Sequence, residues 1–375
     1  MLLRRWPARR GAMLLLGLFC AFSLPAAGQS RFDVFTIAAV RVDVTAASAS
    51  AARDQALIEG ERRALQMLIE RLTLAAGRGR LPQPSNAQLS DLVQGFEVAN
   101  ERRSGVRYIA DYTFHFRADS VRQLLSQAGI AFAETPSKPL VVLAVLQDGA
   151  RPELWDDPNP WREAWARAKL PPGLVPLVVP LGELDDIAAI DAEAALHGDD
   201  ARLRALSQRY DGDDVLVSAA TLNHGATRVV DVVTTRYTPG NAAGRQTWSN
   251  SVTANSGESD AAMMTRALSD TMARVEEAWK VANILDVRQG GTLVVRVAAA
   301  SLRDWIAVRD RLAGIAAVRS SQLMAIDHGG ARVEIRYIGD PAQLRLALAQ
   351  RDLELSGSDP DWVLRQRGGG GGAPR

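Results

Sequence analysis

Cysteine is almost missing from this chain: there is one in 375 residues, Cys20, inside the apolar run from Gly11 to Leu24. Arg4, Arg5, Arg9 and Arg10 precede that run, and Pro25, Ala26, Ala27 and Gly28 follow it. A positive start, a short apolar middle and a small-residue exit make a secretory signal, with cleavage expected near Gly28 and residence in the periplasm. The run falls short of the roughly 20 apolar residues that span a bilayer. Leu18 and Phe19 ahead of Cys20 are too large for a lipoprotein cleavage site, so the cysteine reads as filler. Twin-arginine export from Arg4-Arg5 or Arg9-Arg10 is the weaker alternative, because the hydrophobic residues expected after the pair are not cleanly placed. Without the signal the chain has no thiol. That excludes disulfides, thiolate metal sites and cysteine nucleophiles.

An excess of positive charge is missing as well. Loss of four arginines and no acidic residue moves the formal charge from +1 to −3. A mildly acidic chain lacks the electrostatic footprint of nucleic-acid binding, and it has no evident pull toward anionic lipid. Lysine occurs only at Lys138, Lys169 and Lys280. No later segment reaches the length of a membrane span. The remaining 347 residues suit two or three domains of about 100–150 residues each.

What is present points to α/β and α+β architecture in three small domains. The first covers residues 31–132 as β-α-β-β-α. Val34, Ala38, Val40, Val42 and Val44 are expected on one side of its opening strand. A helix from about Ser48 to Leu74 carries Ala52, Ala56 and Gly60 as a row of small residues that admits a close neighbour. A hairpin turns at Ser104-Gly105, and Tyr108, Ala110, Tyr112, Phe114 and Phe116 share one face of its second strand. Asp119 or Ser120 is expected to cap the last helix. After a linker at Thr135 to Pro139, residues 139–285 read as a small α/β domain with a β-meander. Leu140 to Leu146 and Leu174 to Leu181 are expected as strands buried on both faces. Acidic helices cover Leu184 to Leu196 and Ala201 to Tyr210, and a helix from about Asp260 to Trp279 closes the unit. Residues 290–356 read as βαββαβ, a ferredoxin-like sandwich, with a capping box at Ser301 and Asp304 and a turn through His328. The Gly-rich segment 357–375 is expected to be disordered.

The richest candidate site is Trp155, Asp156, Asp157, Asn159, Trp161 and Trp165. It follows a buried strand, at the end where α/β sheets tend to bind ligands. Three indoles beside two carboxylates could form a platform for a sugar ring or a partner's aliphatic surface. Alternatively Trp161 and Trp165, one helical turn apart, pack the helix on the sheet while Asn159 and Pro160 start it. Asp211-Gly212-Asp213-Asp214 resembles part of a calcium loop but lacks its alternation and closing Glu. His115, His197, His224 and His328 share no metal-ligand spacing and accompany no nucleophile elbow. No catalytic residue, metal ligand or cofactor is expected.

Phe35-Thr36-Ile37, Val42 to Ala46, Ala52 to Ala56 and Gly60 to Leu65 resemble the domain-of-unknown-function family two-zero-six-six. So do Asn159-Pro160-Trp161 with Trp165, and Tyr210 to Val217. The resemblance implies an uncharacterised proteobacterial envelope protein with no assigned activity. The expected role is a non-catalytic binding or scaffold protein of the envelope, its partner another envelope protein or a glycan. The alternative is a glycan-binding protein or weak hydrolase centred on Trp155 to Trp165.

Overall fold

The structure, a computed structural model, describes residues 33–80, 83–148, 151–225, 227–285, 289–297, 302–327 and 330–367. The expected signal peptide with Cys20, the cap at Ser301, the turn residue His328 and the run Gly368 to Gly372 lie outside the described residues.

The first sheet is built from β1 (Thr36–Thr45), α1 (Ala49–Leu72), α2 (Asn86–Leu92), β2 (Val93–Arg103), β3 (Arg107–Phe116) and α3 (Ala118–Gln127). Its strands are antiparallel in the order β1-β3-β2. Ser48 starts α1 by accepting the Ala51 backbone N–H at 3.1 Å, as an N-cap serine should. Ala52 and Ala56 are wholly buried. A Cβ at Gly60 would meet the Phe114 ring at 3.1 Å, so the small-residue row lets the sheet approach. The face Tyr108, Ala110, Tyr112, Phe114 and Phe116 is buried beneath this helix.

Two local expectations need correction here. Ala38 is exposed and Ile37 takes its place in the core. The cause is a bulge between Ile37 and Val40, with Ala39 at φ 57, which switches the side on which alternation runs. Neither Asp119 nor Ser120 caps α3; Arg117 holds that position without a side-chain cap.

The middle sheet contains β4 (Leu140–Leu146), α4 (Pro160–Arg167), β5 (Leu177–Val178), α5 (Leu184–Ala189), α6 (Ala192–His197), α7 (Asp200–Arg209), β6 (Asp214–His224), β7 (Arg228–Tyr237), β8 (Gln246–Thr253) and α8 (Asp260–Asn283). The order is β5-β4-β6-β7-β8, parallel among the first three strands and antiparallel beyond. Every residue of β4 is buried, as expected for a central parallel strand. The strand expected over Leu174 to Leu181 shrinks to Leu177–Val178, half-buried at the sheet edge. Pro176 and Pro180 bracket it, and a residue without an N–H cannot extend the ladder. The acidic stretch Leu184 to Leu196 divides into α5 and α6, because Ile190 is extended and Asp191 caps a new helix through the Ala194 N–H at 2.8 Å.

The third sheet comprises β9 (Gly290–Val297), α9 (Leu302–Ala313), β10 (Val318–Asp327), β11 (Gly330–Ile338), α10 (Pro341–Ala349), β12 (Leu353–Ser356) and β13 (Trp362–Gln366). The βαββαβ order is present and is extended by one strand, giving β10-β11-β9-β13-β12. Strand β13 lies parallel to β9 and antiparallel to β12. The disorder expected from residue 357 is therefore corrected for this stretch: Leu364 is wholly buried among Val297, Val333 and Leu355. Pairing on both sides, Leu364 opposite Val297 and Leu355, gives the strand a register that a structureless tail would not have.

Backbone bonds tie the sheets together. Phe132 bridges Thr73 on one side and Leu285 on the other. The Leu285 N–H donates to the Phe132 carbonyl at 3.0 Å, and Ala133 N–H donates to Leu72 at 2.8 Å. The segment after it is packed: Glu134 is buried against Arg122 at 2.8 Å, and Trp279 Nε1 donates to the Thr135 carbonyl at 2.8 Å.

Candidate functional site

The tryptophan segment does not form a platform. Trp161 and Trp165 are buried at 0% and 3% exposure and meet edge-to-face with centroids 5.9 Å apart, a favourable aromatic geometry. Trp161 Nε1 donates to the Ser218 carbonyl on β6 at 2.9 Å. Asn159, also buried, accepts the Arg162 N–H at 2.9 Å and donates to the Glu153 carbonyl at 3.1 Å. These residues start α4 and pack it on the sheet. Only Trp155, half-buried, and the exposed Asp156 and Asp157 remain near the surface. Of the two readings the burial of Trp161 and Trp165 favours packing over a three-indole surface, because a helix laid on a sheet must bury one stripe and these two indoles are that stripe.

The acidic turn is also spread apart. Asp213 faces Lys138 and Arg367, both at 3.3 Å, while Asp214 pairs with Arg236. Among the described residues no group of three or more His, Cys, Asp or Glu could hold a metal ion. His115 shares a 2.9 Å hydrogen bond with Thr36 Oγ1, and His197 Nδ1 lies 2.7 Å from the Glu193 carbonyl.

A groove of about 700 Å3 lies elsewhere, where the end of α1 meets α8 and the loop Pro171-Pro172-Gly173. Its frame is made of buried charge. Lys280, 4% exposed, donates from Nζ to the carbonyls of Thr73 at 2.9 Å and Glu70 at 3.0 Å. Those carbonyls lie at the end of α1, where helix geometry leaves acceptors open and the dipole favours a cation. Burial holds the Lys280 pKa below the ordinary lysine value, and the Glu277 carboxylate at 3.5 Å partly offsets it. Glu276 accepts the backbone N–H groups of Val175 at 3.0 Å and Leu174 at 3.2 Å. Burial raises its pKa above the usual carboxylate range, against the pull of those two donors. Arg71 donates to the carbonyls of Pro172 at 2.9 Å, Val34 at 2.7 Å and Thr36 at 2.9 Å.

These three side chains spend their hydrogen bonds on backbone from α1, β1 and the proline loop. They build the groove's frame and leave Met67, Ala75, Pro171 and Ala273 as apolar wall, with exposed Asp270 and Arg274 at the rim. Such a cavity is within the roughly 300–1,000 Å3 of small-molecule sites. Its wall is mostly apolar and its charge lies at the mouth. The sequence reading missed it because its residues are about 100 to 200 positions apart along the chain. One signal was available: Lys280 lies on the buried stripe of α8 with Met272, Val275 and Trp279, and the half-buried Glu276 sits one turn before it.

No family model matches the chain, and no curated protein matches it. Among solved structures it is similar to the lipoprotein GNA1162 from Neisseria meningitidis, at 17% identity over 36% of this chain and 95% of that one, with a TM-score of 0.25. A score that low carries no argument about fold or activity. No helix of the described residues is long and apolar enough to cross a membrane.

Proposed function

We propose that this chain is a periplasmic, non-catalytic binding or scaffold protein of the cell envelope, its three sheets marking domains over residues 31–132, 139–285 and 290–356. The single observation that carries the binding reading is the groove beside Lys280. It is large enough for a small molecule or a few side chains of a partner, and it is held open by bonds that a ligand need not form. A frame ordered in advance lowers the entropic cost of binding. The envelope assignment rests on the arginine-apolar-small order of residues 1–28.

The test is native mass spectrometry of the chain recovered from an osmotic-shock fraction. The chain should begin after Gly28 and carry a bound molecule that is lost in Ala273→Trp, which fills the groove. Recovery of the full-length chain from the cytosol would overturn the location. An adduct unchanged by Ala273→Trp would overturn the groove as the binding site.

A further inference from the structure

The two most exposed large apolar side chains of the described residues, Leu184 and Leu181, are neighbours in the chain, with Ile187 close behind them. Leu181 is 78% exposed, Leu184 84% and Ile187 47%. They lie just beyond β5 and on α5, at the end of the parallel strands where α/β sheets present ligand sites. Single exposed leucines need no explanation, but three within seven residues make a patch.

This projection is held rigidly. The carboxylate of Asp186, wholly buried, accepts the N–H groups of Gly182 and Glu183, each at 3.2 Å, and the Tyr210 hydroxyl at 2.9 Å. Arg162 donates to the Leu181 carbonyl at 3.2 Å, and Trp155 Nε1 donates to Ile190 at 2.7 Å. Gly182 has φ +79, and a Cβ there would stand 3.1 Å from the Trp155 ring and 2.8 Å from the Arg162 guanidinium. Only glycine takes that conformation without strain. A loop pinned by a buried carboxylate, a tyrosine and an indole has little conformational entropy left to lose on binding.

The surroundings are acidic. Exposed Glu183 and Asp185 flank the leucines, and exposed Asp156 and Asp157 follow Trp155. Two cations share the loop: Arg209 lies 3.7 Å from Glu183, 2.8 Å from Asp185 and 3.4 Å from Asp186, and Arg162 is bonded to the Leu181 carbonyl, so Asp156 and Asp157 keep the rim acidic. An apolar centre within an acidic rim complements a surface that is apolar at its centre and basic at its flanks.

We propose that the Leu181, Leu184 and Ile187 projection is a docking surface for a protein partner, and that the docked segment is a basic amphipathic helix. Such a helix lays an apolar stripe between rows of Lys and Arg, matching the leucines and the carboxylates together. This deepens the binding reading but uses a different surface. Ala273→Trp leaves the projection intact, and the variants below leave the groove intact, so the two can fail separately.

The test titrates the mature chain with a labelled Leu/Lys amphipathic peptide, a Leu/Glu peptide of equal length, and vesicles of phosphatidylcholine with and without phosphatidylglycerol. Expected is saturable binding of the Leu/Lys peptide alone, weakened by added salt. Leu181→Ser with Leu184→Ser should weaken it about tenfold or more, and Glu183→Gln should weaken it less. Leu184→Ser alone serves if the double variant does not fold. Absence of Leu/Lys binding, equal affinity in the serine variants, or preference for the Leu/Glu peptide would overturn the proposal. Vesicle binding lost in the variant would assign the surface to a membrane instead. A wild-type dimer that the variant abolishes would assign it to a second copy of this chain.

Discussion

At one end of α8 the charged side chain of Lys280 is 4% exposed, while at the start of α5 the apolar side chain of Leu184 is 84% exposed. The two regions invert the usual partition of side chains, and backbone hydrogen bonding is the reason in both. At the groove, the last carbonyls of α1 need donors, and Lys280 reaches across from α8 to supply them. At the projection, Asp186 collects the N–H groups of Gly182 and Glu183, and the chain it pins has no core left to cover its leucines. Buried charge therefore builds a hollow, and a buried carboxylate builds a knob. Polar groups set the frame in each, and the surface left for a ligand is mostly apolar.

The sharpest way to break the comparison is to remove the buried cation. Lys280→Ala removes the Nζ donor from the Thr73 carbonyl and leaves the Glu70 carbonyl only the longer bond from Arg78 at 3.4 Å, and hydrogen bonds to a charged group contribute about 1.5–3 kcal/mol each. A loss of about 3 kcal/mol is expected in urea unfolding, with a lower midpoint. Glu276→Ala strands the Leu174 and Val175 N–H groups and should cost about 2 kcal/mol in the same measurement. A smaller loss in both would mean that water takes over these bonds and that the groove is looser than its geometry.

The two groups should also respond to pH in opposite ways. Lys280 is held below its ordinary value of 10.5, so between its folded and unfolded pKa the unfolded chain binds more protons. Its contribution to stability then rises as pH climbs toward 10.5. Glu276 is raised above 4.5, so the folded chain holds its proton longer, and its contribution falls as pH rises from 4.5 through the raised value. Urea midpoints of wild type against Lys280→Met on the alkaline limb, and against Glu276→Gln on the acid limb, should each lose the corresponding slope. The smallest effect belongs to the projection. Leu184→Ser should change stability by no more than about 0.5 kcal/mol, since an exposed side chain has little burial to lose. A large loss would show that this leucine packs in solution, and the contrast with Lys280 would fail.

Elements with strong periodicity were legible in the sequence. The alternation from Tyr108 to Phe116 and the unbroken run Leu140 to Leu146 each match a strand with the expected burial. So does the small-residue row of α1, because a Cβ-free or methyl-only surface has one use in a packed layer. Misreadings arose where one local event outweighed the pattern. A single inserted residue at Ala39 moved Ala38 out of the core. Two prolines cut Leu174 to Leu181 to a two-residue strand, which is how Leu181 came to be exposed. The Trp155 to Trp165 segment carried a real signal of importance, but the signal was for packing, with Trp155 steadying the loop that shows the leucines.

The sequence by itself determined the binary pattern: which strands are buried on one face or two, and where helices begin. Those properties depend on near neighbours along the chain, through pleat, helical turn and cap. Only the tertiary structure decided that Lys280 meets the end of a helix some 200 residues earlier. It alone decided that Leu181 and Leu184 face solvent. Both depend on which backbone groups remain unsatisfied once the sheets have packed, and that is settled across space, by whichever side chain can reach them.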